Sequence, residues 1–239
     1  MMILALESSA TACSAALSRD GELVAQTWQN SGLTHSRTLL PMVDSMLKNC
    51  EMTLEQVDVV AVAAGPGSFT GLRIGVATAK GLAWAEDKDC AACSTLESMA
   101  WPLAHMEGHL IVCAMDARRK QVYNAIFEAE GDSLRRLSPD RAISLAELGE
   151  ELKKYDKPKI VVGDGAQLCY NTLNTELSDF KLAPRSLRMQ SAAGVARAAE
   201  ELAQRGELVK GGALVPIYHR LSQAERERLE REQKSETQH

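Results

Sequence analysis

Aromatic residues are scarce in this chain: three Trp, four Tyr and three Phe make up 4% of 239 positions. That scarcity argues against a stacking platform for single-stranded nucleic acid and against an aromatic carbohydrate site. A basic excess is missing too. With 27 Lys and Arg against 32 Asp and Glu, the formal net charge is −5, whereas a free-standing nucleic-acid binder carries a basic face. A role on RNA would need a partner to supply most of the phosphate contacts. No run of about 18 apolar residues exists, which excludes a membrane-spanning helix. The patterns G-x-S-x-G and H-E-x-x-H are absent, so no nucleophile or zinc-peptidase signature is present. Six cysteines include a single C-x-x-C, Cys90 to Cys93, with no second pair or histidines at ligand spacing. Neither structural zinc nor a thioredoxin-type site is expected. The chain enters the apolar run of residues 2–6 without a charged leader, and a reduced, cytoplasmic setting is the expectation.

What the chain does have is the stretch Gly65-Pro66-Gly67-Ser68-Phe69-Thr70-Gly71-Leu72-Arg73-Ile74-Gly75. It follows an apolar run, residues 57–64, that reads as a buried strand. It opens a helical pattern reaching about Trp84, with Ser68 or Thr70 available as the N-cap. Strand, glycine turn and helix N-terminus commonly hold an anion or nucleotide. The dinucleotide fingerprint is not completed, because the next segment, residues 89–93, offers no strand ending in an acid. Beyond the turn, Gly71, Gly75, Ala79 and Ala83 recur every four residues and stack along one side of the helix. An interior glycine costs about 1 kcal/mol relative to alanine, so something must offset it. Either this helix packs closely inside its own domain, or the ridge is a bare surface for a second helix. The expectation taken forward is the second: Gly71, Gly75 and Ala79, with Arg73, lie at a partner interface.

Residues 2–6, 13–18 and 22–28 read as three strands joined by polar turns. Thr34 caps a helix reaching about Asn49, with Pro41 inside it as a kink or first-turn marker. Leu39, Met42, Val43, Met46 and Leu47 form its apolar stripe. This helix is expected beside the glycine ridge, with Thr34, His35, Leu39, Val43 and Met46 completing the interface as a four-helix cluster. A second unit starts at His109, with strands over 110–115 and 122–128 around the charged turn Asp116 to Lys120. A helix over 145–154, a strand over 160–162 and a helix over 191–204 follow. Two units opening with strand, turn and strand indicate an α/β chain of two lobes, residues 1–105 and 106–221. A charged tail, 222–239, is expected to be solvated and dispensable.

Glu7 ends the first strand, Asp116 the equivalent strand of the second unit, and Gly163-Asp164-Gly165 follows a late strand. Two acids at strand ends could flank a magnesium–phosphate group, with Arg118 on a phosphate and the glycines Gly163 and Gly165 against an adenine. The plain alternative is that each acid bonds its own turn. His35 stands alone: four residues on, where a second ligand would share its helical face, is Leu39. No metal is expected there.

The segments ILALESSATACSAAL, GPGSFTGLRIG, STLESMA, MDARRKQVY and VPIYHR together resemble the bacterial TsaB (YeaZ) family over about residues 2–220. The resemblance implies an actin-like, sugar-kinase-like fold (ASKHA) of two related lobes, each starting with a β-meander. It implies a non-catalytic scaffold or activating subunit in forming threonylcarbamoyladenosine next to the tRNA anticodon. The partners implied are a TsaD-like catalytic paralogue and a TsaE-like ATPase, with tRNA reached through the complex. ATP or ADP at the partner interface, and a homodimer when the chain is alone, are further expectations. TsaD holds its metal with an H-x-x-x-H helix motif, and the corresponding stretch here has His35 and then Leu39. Two positions depart from the family pattern: Glu7 where aspartate is usual, and His219 where leucine is usual. The competing reading is an autonomous ATPase or small-molecule kinase of the same fold, which needs an intact phosphate turn and a base in the cleft. A metallopeptidase would need a ligand set that the sequence lacks.

Overall fold

Alternation along the first strand, β1 (Met2–Glu7), decides how the first lobe is layered. Met2, Leu4 and Leu6 pack on one side and Ile3 and Ala5 on the other, all buried, so this sheet is covered on both faces. The computed structural model describes residues 1–219; the expected tail 222–239 lies outside the described residues. In chain order the first lobe continues with β2 (Cys13–Arg19), β3 (Glu22–Gln29), α1 (His35–Asn49), β4 (Val59–Gly65), α2 (Phe69–Ala85), β5 (Asp89–Ser94) and α3 (Thr95–Ala100). The second repeats the plan with β6 (Leu110–Asp116), β7 (Gln121–Ala129), β8 (Leu134–Arg136), β9 (Arg141–Ser144), α4 (Leu145–Leu152), β10 (Lys159–Val162), α5 (Ala166–Leu173), β11 (Phe180–Leu182) and α6 (Ala192–Gln204). A last strand, β12 (Val209–Lys210), returns to the first sheet.

Strand order makes the duplication explicit. The first sheet runs β12-β5-β4-β1-β2-β3 and the second β11-β10-β6-β7-β8, with β9 also on β7. In each lobe the opening strand pairs antiparallel with the next and parallel with the strand after a helix. This is the actin-like, sugar-kinase-like arrangement. Strands β8, β9, β11 and β12 and helix α5 are not among the elements read from the sequence.

Helices α1 and α2 cover the Leu4 and Leu6 side of the first sheet, through Leu39, Met42, Val43 and Met46 and through Val76, Ala79 and Ala83. Helix α6 covers the other side with Ala192, Val195, Ala196 and Ala199. Helix α3, although it precedes residue 105, packs through Leu96, Met99 and Ala100 on the second sheet. The two cross closely: a Cβ on Gly194 would sit 2.0 Å from the Ser98 carbonyl oxygen. A boundary at 105 therefore cuts across both the packing and the first sheet, whose edge strand β12 comes late in the chain. It places α6 and β12 with the second lobe, whereas they complete the first.

Serines set several helix starts. Ser68 accepts from the Gly71 N–H at 3.3 Å and Ser94 from the Glu97 N–H at 3.1 Å, while Ser144 and Glu147 form a reciprocal capping box. Thr34 stands at the N-cap of α1 but its side chain makes no capping bond. The helix runs through Pro41 rather than starting there. Cys90 and Cys93 belong to the cores on opposite faces of the first sheet, so the C-x-x-C cannot close on a metal or itself. Burial pushes the Cys93 thiol up, keeping it protonated.

The glycine ridge corrects the sequence expectation. Gly71, Gly75 and Ala79 face inward and are buried. A Cβ on Gly71 would lie 2.1 Å from the Ser8 carbonyl oxygen, and one on Gly75 would lie 2.4 Å from Ser8 Oγ and 3.2 Å from Val62 Cγ2. Leu39, Val43 and Met46, expected as interface fill, are core residues of the same lobe. The cost of helical glycine is offset by close approach of the β1–β2 turn, not by a partner. Gly75→Leu is accordingly expected to strain the core by about 1–3 kcal/mol or more and to lower the melting temperature of the isolated chain. An unchanged thermal melt would contradict this packing.

Candidate functional site

The ends of β1, β6 and β10 converge where the lobes meet. Glu7 is fully buried there. Its Oε1 accepts the Ser9 N–H at 2.6 Å, while Oε2 has no partner among the described residues. Burial raises its pKa from 4.5 to about 7, and the charge of Asp164 adds to the rise. Asp164 is itself pushed up by burial and accepts from Gln190 Nε2 at 2.7 Å. Asp116 is exposed, and its Oδ1 accepts the Arg118 N–H at 2.7 Å. The structure thus gathers acids from both lobes, with Asp164 and Gln190 joining Glu7 and Asp116.

The glycines near them are set by packing. Gly163 has a φ of +110°, and a Cβ there would lie 2.1 Å from the Ala114 carbonyl oxygen; one on Gly165 would lie 2.9 Å from the Asp116 N. This turn presses on the end of β6. Arg118 points its charge at no acid among the described residues, although its N–H binds Asp116. A magnesium nucleotide needs an ionised, reachable carboxylate. Glu7 is neither: it is enclosed, held by its own turn, and half neutral near pH 7. The residues present therefore do not fit that group at Glu7, and the acid bonds its own turn, which was the plain alternative.

His35 opens α1, and its Nε2 lies 2.7 Å from the Ala10 carbonyl oxygen. A carbonyl only accepts, so Nε2 carries the proton. The histidine ties α1 to the β1–β2 turn, and Leu39 one turn on is in the core. No group of three His, Cys, Asp or Glu that could hold a metal occurs among the described residues.

Arg73 is exposed but not free. Its Nε donates to Tyr218 Oη at 3.0 Å, and Tyr218 stacks on Phe69 with ring centroids 4.2 Å apart. The Ile217 N–H donates to the Ala64 carbonyl oxygen at 2.7 Å, so residues 217–218 strap the glycine turn. Sequence reasoning missed the outer face of α1 and α2, where Leu40 and Trp84 stand exposed, Trp84 at 88%. A signal was available: Trp84 follows buried Ala83 and is turned about 100° away from the inward row.

Two lobes of matched strand order around a cleft of carboxylates place the chain in the actin-like, sugar-kinase-like class. The family model described as TsaD, tRNA N6-adenosine threonylcarbamoyltransferase, matches residues 29–227. The tRNA threonylcarbamoyladenosine biosynthesis protein TsaB of Bacillus subtilis is 34% identical over 232 residues, 96% of this chain and 99% of that protein. The protein of the same name from Haemophilus influenzae is 40% identical over 126 residues, 52% of each. A crystal structure of a Pseudomonas aeruginosa protein with similarity to peptidase YeaZ superposes with a TM-score of 0.79 at 26% identity, covering 92% of this chain and 99% of that one. The chain belongs to the TsaD-related family and, within it, to the TsaB (YeaZ) branch. No described helix is long and apolar enough to cross a membrane.

A buried acid whose pKa rises on folding stabilises the fold when protonated. For Glu7 that contribution is complete below about 4.5 and is lost as pH rises towards about 7. The ionised state costs about 3 kcal/mol. Glu7→Gln keeps an acceptor for the Ser9 N–H and removes the titration. Its melting temperature should exceed the wild type's at pH 8 and approach it at pH 4.5. A gap that stays constant across this window would contradict the assignment.

Proposed function

We propose that this chain serves tRNA threonylcarbamoyladenosine biosynthesis as a non-catalytic subunit that docks a TsaD-family catalytic partner. The observation that carries the reading is the fate of the His35 and Leu39 pair. Where a metal-binding relative would present two histidines one turn apart, this chain ties one ring to Ala10 and sinks the other position into the core. The enclosed Glu7 supports it further, because the acid at the end of the first strand is held by its own turn rather than open to a phosphate or metal. The TsaE-like ATPase and tRNA join through that complex, and any ATP or ADP binds at its interface.

The docking face in this reading is the outer side of α1 and α2. Leu40 on α1 and Trp84 on α2 are exposed on helices that cover one face of the first sheet, and Leu33 is exposed just before α1. Large aromatic side chains dominate binding energy in such patches. The homodimer expected from the sequence rested on an exposed glycine ridge, and burial of that ridge removes its ground.

The test is reconstitution with the TsaD-like partner, the ATPase and unmodified tRNA, omitting each protein in turn. Omission of this chain should abolish threonylcarbamoylation, and the chain alone should modify nothing. Leu40→Asp with Trp84→Asp should melt like the wild type, since both sites are exposed. It should lose about 2 kcal/mol or more of partner affinity, roughly thirtyfold. A variant that binds and supports modification like the wild type would contradict the docking face.

A further inference from the structure

The turn between β6 and β7 carries an outlier. Arg118, Arg119 and Lys120 have φ values of 61°, 54° and 58°. Three successive non-glycine residues in the left-handed region are unfavourable, because each Cβ crowds the carbonyl oxygen that follows. Glycine or asparagine would take these angles more readily, yet all three positions hold long cations. Strain that persists at an exposed turn points to a use at the turn itself. Backbone bonds pin it: the Arg118 N–H to Asp116 Oδ1 at 2.7 Å, the Gln121 N–H to the Arg118 carbonyl at 3.1 Å, and the Leu145 N–H to the Lys120 carbonyl at 3.4 Å.

The charges are unanswered among the described residues. All three side chains are exposed. Among the described residues none of them meets a carboxylate, and the N–H groups of Arg119 and Lys120 donate to nothing. Arg119 and Lys120 stand on the rim of an open groove of about 1190 Å³ bounded by β9, α4 and α5. The acids of that groove already have partners. Glu150 and Glu176 bind Lys153, Glu151 binds Arg141, and Glu147 caps Ser144. Asp116 is the one acid of the turn, and it holds the Arg118 N–H.

Fixed backbone donors beside free cations recognise phosphate. The groove lining contains no aromatic side chain that could hold a base, which favours a backbone over a nucleotide. We propose that the turn of residues 118–120 contacts the phosphodiester backbone of tRNA, giving this acidic subunit its own hold on the RNA. The inference rests on the tRNA-modifying role argued above. It adds a local contact to a chain whose net charge of −5 leaves most phosphates to the partner.

The test replaces all three residues together: Arg118→Gly, Arg119→Gly and Lys120→Gly. Glycine accepts the left-handed angles, so the variant should fold and melt at or slightly above the wild-type temperature. Affinity of the complex with its TsaD-family partner for unmodified tRNA is then measured across a salt series, and ADP binding by calorimetry. Binding of tRNA should weaken about tenfold at low salt, and the slope of log Kd against log salt should fall by about two to three. The variant Arg118→Lys with Arg119→Lys keeps the charge and should keep the slope. A glycine variant with wild-type tRNA affinity and slope would overturn the inference. So would one that loses ADP but keeps tRNA, because the turn would then serve a nucleotide phosphate. If the chain is required for modification but the variant binds normally, this inference alone fails. If modification proceeds equally without the chain, the underlying role fails and takes the inference with it.

Discussion

The β1–β2 turn lies directly on the glycine face of α2, and the rest of the first lobe is arranged around that contact. Ser8 Oγ donates to the Gly71 carbonyl oxygen at 2.9 Å, and the Ser68 N–H donates to the Ser9 carbonyl oxygen at 2.7 Å. Any side chain at Gly67, Gly71 or Gly75 would enter the space that Ser8 and Ser9 fill. Close approach lets buried backbone groups satisfy one another where no water reaches. It also brings the helix near enough for Val76, Ala79 and Ala83 to close the core over β1 and β4.

The same contact shapes what the lobe can do. The turn is held by α2 on one side, through Ser8 and Gly71, and by His35 on the other, through Ala10. Glu7, at its root, is enclosed, and burial raises its pKa. The proposed role is accordingly one of recognition, carried by the surface. With the glycine row turned inward, the faces free to meet another protein are the opposite sides of α1 and α2, where Leu40 and Trp84 stand. The second lobe contributes a different surface, the strained cationic turn at the end of β6.

Much of the fold was legible because its elements are long or strongly patterned. The alternating strands, the Ser68 turn and the two strand–turn–strand openings gave the duplicated lobes directly, and the family motifs agreed with them. The direction of the glycine row was not legible. Small residues at every fourth position describe a helix side that something approaches closely, and a backbone turn satisfies that as well as a foreign helix does. The row of Leu39, Val43 and Met46 had the same ambiguity, since an apolar stripe faces a core or a partner with equal periodicity. Charge at the cleft was hidden for another reason. The order of residues places Glu7 at a strand end, but only three-dimensional burial, with the charge of Asp164 adding to it, reveals that its pKa is raised. The left-handed turn at Arg118 to Lys120 carries no glycine to announce it.

The central claim is that α2 spends its glycine side inside the lobe and offers the opposite side to a partner. Hydroxyl-radical footprinting of Trp84, at low micromolar protein, tests it most directly. In the isolated chain the indole should oxidise at the rate of an exposed tryptophan, and adding the TsaD-family partner should slow that oxidation several-fold while the buried Trp101 stays protected in both. Equal oxidation of Trp84 in the free chain and in the assembled complex would contradict the account.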